Sequence, residues 1–193
     1  MHPPAAFVFG KTPRHGDFVV QGLSTPVEQA WDGFCTRLLA RARETWGEAQ
    51  ALHHAQTPIW RFVVPQGPLS ETGFAAGALA PSTDRTGRLF ALVAGVQGLS
   101  GDAGLTRVQA FTGLAEYILW QAIVEDWDTP AIAEAAAAAW AGLADGDPSG
   151  DVRLASRVSA GGLWWALDEP LIAESLPDRL FLLQIPVLDE SGQ

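Results

Sequence analysis

The chain has 193 residues, of which 48% are hydrophobic and 18% charged, a composition typical of a folded globular protein with a sizeable core. Its formal net charge of −10 argues against nucleic acid and anionic lipid as partners. The single cysteine, Cys35, excludes an intrachain disulfide and a cysteine-based metal site. No apolar run approaches the ~20 residues of a membrane helix, and the N-terminus lacks a signal-peptide pattern. We therefore expect a cytoplasmic protein with no membrane insertion and no cofactor.

The N-terminal segment predicts a strand followed by a helix. Residues 5–9 are apolar and aromatic, and a run containing Gly and Pro ends the strand. A helix is predicted to begin at Thr25, which can cap it, with Pro26 at the first helical position and Glu28 completing a capping box. Apolar residues then recur at steps of three and four until the helix ends near residues 46–47, which predicts one buried face.

Three strands follow without an intervening helix. They are predicted over residues 58–64, 74–80 and 89–96, because these segments are apolar and lie between turn residues. Residues 81–88 are predicted to join the last two strands as a hairpin loop.

The second half predicts two helices and two more strands. Residues 108–122 have the apolar spacing of an amphipathic helix, and Asp128 and Pro130 are suited to cap and start the next one. Residues 161–167 and 180–185 are predicted to be strands.

Tryptophan and histidine positions give further expectations. Trp31, Trp120 and Trp140 fall on the apolar faces of predicted helices, so we expect them in the core. His53 and His54 are adjacent and therefore point in different directions, which is unsuited to a chelating pair. A solvated helix end is the expected environment of both.

The order of elements predicts the fold class. Consecutive strands favour a sheet that is mixed but mainly antiparallel, and helices from both halves of the chain can cover its two faces. The prediction is an α/β fold, a three-layer α-β-α sandwich, in a single domain over residues 1–193.

Polar side chains are concentrated in three short runs beside predicted strands. These runs are residues 10–18, 58–62 and 81–88, and we expect them to converge at one edge of the sheet. The candidate site residues are Lys11, Arg14, Asp17, Arg61, Ser82, Asp84, Arg85 and Arg88.

An enzyme using this cluster is the alternative interpretation. Gly10 and Lys11 resemble the end of a phosphate loop, but Ala5 stands where that motif has its first glycine. Ser82 lacks the Gly-x-Ser-x-Gly elbow of a nucleophile, and His15 is the only histidine expected near it. The alternative is thus a small hydrolase or nucleotide-binding enzyme with an incomplete constellation, built from Lys11, Asp17, Ser82, Asp84 and Arg85.

The same charges have a structural and a docking interpretation. Asp17 and Asp84 could pair with Arg61, Arg85 and Arg88 to fix loops onto strand ends, because the planar guanidinium engages carboxylates well. Alternatively, the cluster could dock a partner protein or an anionic group. The sequence leaves both interpretations open.

Four groups of residues in the first half of the chain resemble a known family. They are Phe9-Gly10-Lys11-x-Pro13-x-x-Gly16-Asp17-Phe18, Gly22-Leu23 with Trp31-Asp32, Pro58-x-Trp60-Arg61-Phe62, and Pro81-Ser82-x-Asp84-Arg85-x-Gly87-Arg88-x-Phe90. In this order and spacing they resemble the TagF (ImpM) family, accessory proteins of bacterial type VI secretion systems. Phe34 and Ala91 depart from the family pattern but leave the charged positions intact.

The resemblance implies a function beyond what the residues alone indicate. It implies an α/β sandwich with no known catalytic activity and a cytoplasmic post-translational regulator, usually a repressor, of secretion-apparatus assembly. It also implies contact with a forkhead-associated scaffold protein. Some relatives carry a fused phosphatase domain, for which this chain has no room.

Overall fold

Six strands form one sheet in which every pair of hydrogen-bonded neighbours is antiparallel. The computed structural model describes residues 3–13, 18–144, 151–158, 161–166, 172–174 and 176–182. The strands are β1 (Ala5–Gly10), β2 (Val19–Gln21), β3 (Trp60–Val64), β4 (Phe74–Thr83), β5 (Leu89–Leu99) and β6 (Leu163–Trp165). Their order across the sheet is β2-β1-β5-β4-β3-β6.

Helices cover both faces of this sheet. The helices are α1 (Thr25–Trp46), α2 (Gln50–Gln56), α3 (Leu105–Val124), α4 (Thr129–Gly142) and α5 (Leu154–Arg157), with 3-10 turns at Gly47–Ala49 and Leu180–Leu182. The apolar face of α1 packs on one side of the sheet, and α3 and α4 pack on the other. The predicted α/β sandwich with a mainly antiparallel sheet is confirmed, and the described strands are antiparallel throughout.

The two faces differ in side-chain size. On the α1 side, Trp31 lies 5.3 Å from Phe62 and Phe34 lies 5.3 Å from Trp164, measured between ring centroids. On the other side, β4 presents alanines to α3, including Ala76 and Ala78. Because side chains alternate along a strand, each strand supplies both layers, and small residues let α3 approach the sheet closely.

The helix starts differ from prediction in one case and agree in the other. Ser24, not Thr25, is the N-cap of α1, and no side chain makes a cap hydrogen bond there. The predicted capping box is therefore wrong; the Glu28 backbone N–H donates to the Ser24 carbonyl within the helix ladder. Asp128 caps α4 as predicted, because its carboxylate accepts from the Ala131 N–H at 2.9 Å.

The segment near residue 180 is not a strand over its described part. Residues 180–182 form a 3-10 turn, while residues 183–185 lie outside the described residues. The outer edge of β6 is already occupied, since Trp164 and Ile172 exchange two backbone hydrogen bonds of 2.8 Å. The turn instead buries Phe181 and places the Leu180 carbonyl 3.1 Å from the indole nitrogen of Trp60.

Short elements and one core assignment also departed from the predictions. The strand β2 and the helices α2 and α5 were not predicted, because segments of three to seven residues carry too little periodicity to be recognised. Trp120 is 50% exposed rather than buried, although it lies on α3. Its side chain lies on the side of α3 that faces away from the sheet, whereas those of Leu119 and Ala122 are buried.

Candidate functional site

A tight hairpin turn joins β4 to β5 at residues 84–88. Pairing of the strands continues to Thr83 and Leu89, and the Asp84 N–H donates to the Arg88 carbonyl at 3.0 Å. The Gly87 N–H donates to the Asp84 carbonyl at 2.9 Å. Gly87 has a φ of +78°, which glycine adopts without strain. The predicted connection over residues 81–88 is thus shorter than expected, because the strands run on to Thr83 and from Leu89.

The carboxylate of Asp84 organises this turn from inside. Its Oδ1 accepts from the Thr86 hydroxyl at 2.6 Å, the Thr86 N–H at 2.9 Å and the Arg88 N–H at 3.1 Å. Its Oδ2 accepts from Nε of Arg88 at 2.7 Å, and the side chain is 0% exposed. These hydrogen bonds, of which the one from the Thr86 hydroxyl has the largest effect, hold the pKa of the Asp84 carboxyl well below its ordinary value. Burial acts in the opposite direction and is outweighed.

Lys11 brings the end of β1 into the same cluster. Its ammonium lies 3.7 Å from Oδ2 of Asp84 and 3.8 Å from the ring centroid of Phe90, and the side chain is 6% exposed. The Lys11 N–H donates to the Ala91 carbonyl at 3.2 Å, and the Ser82 hydroxyl donates to the Lys11 carbonyl at 2.8 Å. The backbone N–H, the backbone carbonyl and the side-chain ammonium of Lys11 therefore all contact residues of the β4–β5 hairpin.

A glycine makes this close approach possible. Gly10, the last residue of β1, has a φ of +129°, a backbone conformation that other residues rarely adopt. A Cβ at this position would lie 2.0 Å from the Ala91 carbonyl oxygen. Any side chain at residue 10 would push β1 away from β5 and displace Lys11.

A buried histidine supports the cluster from behind. His54 of α2 is 4% exposed; its Nε2 lies 3.0 Å from the Ser82 carbonyl, and its ring meets Phe181 edge-on at 5.1 Å. Burial lowers its pKa, with an opposing effect from backbone hydrogen bonds. The prediction of a solvated His54 is wrong, because the burial depends on Phe181, 127 positions away, and no local pattern distinguishes it from His53.

The predicted residues separate into two places. Lys11, Ser82, Asp84 and Arg88 lie together, whereas Arg61 pairs with Glu116 of α3. The register places Arg61 opposite Ala78, six residues along β4 from Asp84, or about 20 Å at 3.3 Å per residue. The prediction that all three polar runs converge is therefore wrong for Arg61. From its position in β3, the Arg61 side chain lies on the α3 side of the sheet and pairs with Glu116. Arg14 and Asp17 lie outside the described residues.

Two arginines of the turn face solvent. Arg85 is exposed, and the Arg88 side chain is 62% exposed although its Nε is bound to Asp84. Their guanidinium groups stand on a chain with a net charge of −10, so they form a local positive feature suited to carboxylate or phosphate oxygens.

Metal-ligand clusters and membrane-spanning helices are both lacking from the described segments. Within them, no cluster of three or more His, Cys, Asp or Glu side chains is arranged to hold a metal ion. None of the helices described there is long and apolar enough to cross a membrane.

Comparisons with known proteins agree with this architecture. The structure is similar to the crystal structure of PA0076 from Pseudomonas aeruginosa PAO1, with a TM-score of 0.68 and 22% sequence identity over 92% of each chain. At this identity the similarity shows the fold. No curated protein sequence matches the chain.

A family model covers most of the chain. The model of the TagF N-terminal domain, described as type VI secretion system-associated, matches residues 8–139. This range contains Lys11, the β4–β5 turn and the α3 layer, while the single domain over residues 1–193 stays a prediction. The chain therefore belongs to the TagF family of type VI secretion system-associated proteins.

Proposed function

We propose that this chain is a non-enzymatic, cytoplasmic regulator that represses assembly of the type VI secretion apparatus through protein–protein contacts. The observation that carries the proposal is the β4–β5 turn, where a buried Asp84 fixes the backbone and leaves Arg85 and Arg88 exposed. A turn held by this many hydrogen bonds loses little conformational freedom on binding, which favours recognition by its side chains.

The contacts within the cluster support a binding role over a catalytic one. A serine nucleophile needs a base on its hydroxyl, but the Ser82 hydroxyl donates to the Lys11 carbonyl and His54 contacts the Ser82 carbonyl instead. A phosphate loop needs free backbone donors, but the Lys11 N–H donates to Ala91. The hydrolase and nucleotide-binding alternatives gain no support from this arrangement.

The partner we propose is the forkhead-associated scaffold protein that the family resemblance implies. The chemistry of the exposed guanidinium groups calls for an acidic or phosphorylated segment on that partner. Because the rest of this chain is acidic, such a segment would be steered toward the turn rather than to the remaining surface.

Secretion by living cells tests the proposal. In a strain lacking this protein, we expect increased release of type VI secretion substrates into the medium, and complementation with wild type should restore repression. Arg85→Glu should fail to restore it, because the reversed charge repels an acidic partner. Arg37→Glu, the same charge change at an exposed position in the middle of α1, is the matched control and should repress as wild type does.

Two outcomes would contradict the proposal. Unchanged secretion after deletion would remove the repressor role. Full repression by Arg85→Glu, with the variant expressed at wild-type level, would remove the turn as the docking site.

A further inference from the structure

An exposed aromatic ring lies beside the β4–β5 turn. Phe18, the residue before β2, is 47% exposed although it is large and apolar. Its ring centroid lies 5.7 Å from that of Phe9 and 5.5 Å from that of Phe90, which it meets edge-on. The Lys11 ammonium lies 5.0 Å from the same centroid. These contacts with the ends of β1 and β5 hold the ring in place, while about half of it remains open to solvent.

The ring and the cationic turn lie within reach of one peptide. The Lys11 ammonium is 3.7 Å from Oδ2 of Asp84, and that oxygen is 2.7 Å from Nε of Arg88. Together with the 5.0 Å between Lys11 and the Phe18 ring, these distances place the ring centroid no more than about 11 Å from Nε of Arg88. An extended chain rises about 3.3 Å per residue, so about three residues span this separation.

The charges next to the ring select the kind of partner. Lys11, Asp84, Arg85 and Arg88 are three cations and one anion, a net charge of +2 on a chain whose total is −10. Because Lys11 is buried against Asp84, a ligand that covers the ring reaches the two exposed arginines instead. A basic or uncharged apolar segment would leave both guanidinium groups unpaired. An acidic segment pairs with them, and an apolar side chain over the ring excludes water from those ion pairs.

We propose that Phe18 is the apolar part of a docking surface whose cationic part is Arg85 and Arg88. The segment that fits this surface carries Asp or Glu side chains, with a large apolar side chain about three residues away from them. The inference rests on the docking role proposed for the β4–β5 turn. It adds a requirement that charge alone does not impose, since an acidic segment without an apolar side chain leaves the ring uncovered.

The exposed part of the ring sets the expected size of the effect. A phenylalanine side chain buries about 150 to 250 Å² when fully covered, so roughly 80 Å² remains to be covered here. At the usual coefficient for apolar burial, covering this area strengthens binding by about tenfold or more. Removing the ring from the protein, or the apolar side chain from the segment, should weaken binding by about the same factor. Removing both should cost no more than removing either one, because the two groups contact each other.

Three capped peptides and fluorescence anisotropy test this proposal on the full chain. The first peptide is Glu-Glu-Ser-Gly-Leu-Gly-Ser-Glu-Glu, which places leucine three residues from a glutamate on either side. The second has glycine in place of leucine, and the third has glutamine in place of every glutamate. Wild type should bind the leucine peptide about tenfold more tightly than either of the others. Higher NaCl should weaken both glutamate peptides by the same factor, because screening acts on the ion pairs and not on the ring.

Substitutions at residue 18 give the sharpest comparison. Phe18→Ala should bind the leucine and glycine peptides equally, whereas Phe18→Leu keeps an apolar side chain and should retain a preference for the leucine peptide. Val152→Ala changes a residue that is 50% exposed beside the start of α3, and this control should keep the tenfold preference. The ratio of the two affinities within one variant does not depend on how much of the sample is folded.

The outcomes separate this inference from the docking role of the turn. A tenfold preference that survives in Phe18→Ala, or no preference in wild type, would overturn the inference and leave the docking role of the arginines in place. Arg85→Glu should weaken the leucine and glycine peptides alike, and wild-type affinity for both in this variant would remove the turn as the docking site. Wild type that binds none of the peptides at about 1 mM would overturn the inference as well.

Discussion

The ammonium group of Lys11 lies 3.7 Å from Oδ2 of Asp84, and both side chains are almost fully buried. The pair joins the end of β1 to a turn 73 positions later in the chain. Removing one member of a buried pair leaves an uncompensated charge, so the pair is a structural element of the hairpin. Its consequence for function is indirect: it fixes the turn that exposes Arg85.

Replacing the central carboxylate should destabilise the hairpin. In Asp84→Ala, the backbone amides of Thr86 and Arg88 lose their hydrogen-bond acceptor, and the Lys11 ammonium loses this carboxylate as its ion-pair partner. We expect the midpoint of thermal unfolding to fall by several degrees, because buried polar groups left unpaired are costly. Arg85→Ala, an exposed neighbour, is the control and should change the unfolding free energy by less than about 0.5 kcal/mol. Equal midpoints for the two variants would contradict the structural role of Asp84.

Acid should weaken the fold in two separate pH ranges. The pKa of His54 is lowered in the folded state, so the unfolded chain takes up a proton first and stability falls as pH drops below about 6.5. The pKa of Asp84 is also lowered, so its contribution is present above about pH 4 and is lost as pH falls further. Both groups therefore act in the same direction.

The variant His54→Gln isolates the upper range. Urea unfolding at about pH 7.5 and about pH 5.5 should show a smaller pH effect in the variant, since one proton contributes at most about 1.4 kcal/mol per pH unit. Glutamine keeps a side-chain N–H that can reach the Ser82 carbonyl. If the variant and wild type lose the same stability over this range, His54 is not the responsible group.

A substitution at Gly10 should be far more damaging than at an open glycine. Gly10→Ala requires a φ of +129° and a Cβ 2.0 Å from the Ala91 oxygen. We expect a loss of at least about 2 kcal/mol in the free energy of unfolding. Gly142→Ala, where a Cβ meets nothing within 4 Å, should instead be neutral or stabilising by up to about 1 kcal/mol. Chemical denaturation of both variants checks the difference.

The helix caps offer a second matched pair. Asp128→Ala should cost about 1 kcal/mol, because its carboxylate satisfies the Ala131 N–H at the start of α4. Ser24→Ala should cost less, since the side chain of Ser24 makes no cap hydrogen bond in α1. A larger effect at Ser24 than at Asp128 in urea unfolding would contradict this description of the two helix starts.

How far the sequence predicts this molecule depends on the range of the interactions. The helices α1, α3 and α4 and the hairpin strands were predictable because periodicity and turn residues act locally. The Lys11–Asp84 pairing could be predicted only as a set of candidate residues, because strand order decides which polar runs meet. Arg61 was misplaced for this reason, and His54 was misjudged because a distant aromatic ring buries it.

Binding of the purified protein to the forkhead-associated scaffold of its secretion system tests the central claim most directly. Isothermal titration calorimetry should show wild type and Arg37→Glu binding with equal affinity, and Arg85→Glu binding about tenfold more weakly or worse, a loss of about 1.4 kcal/mol. Wild-type affinity in a folded Arg85→Glu variant, or no binding by wild type, would contradict the account.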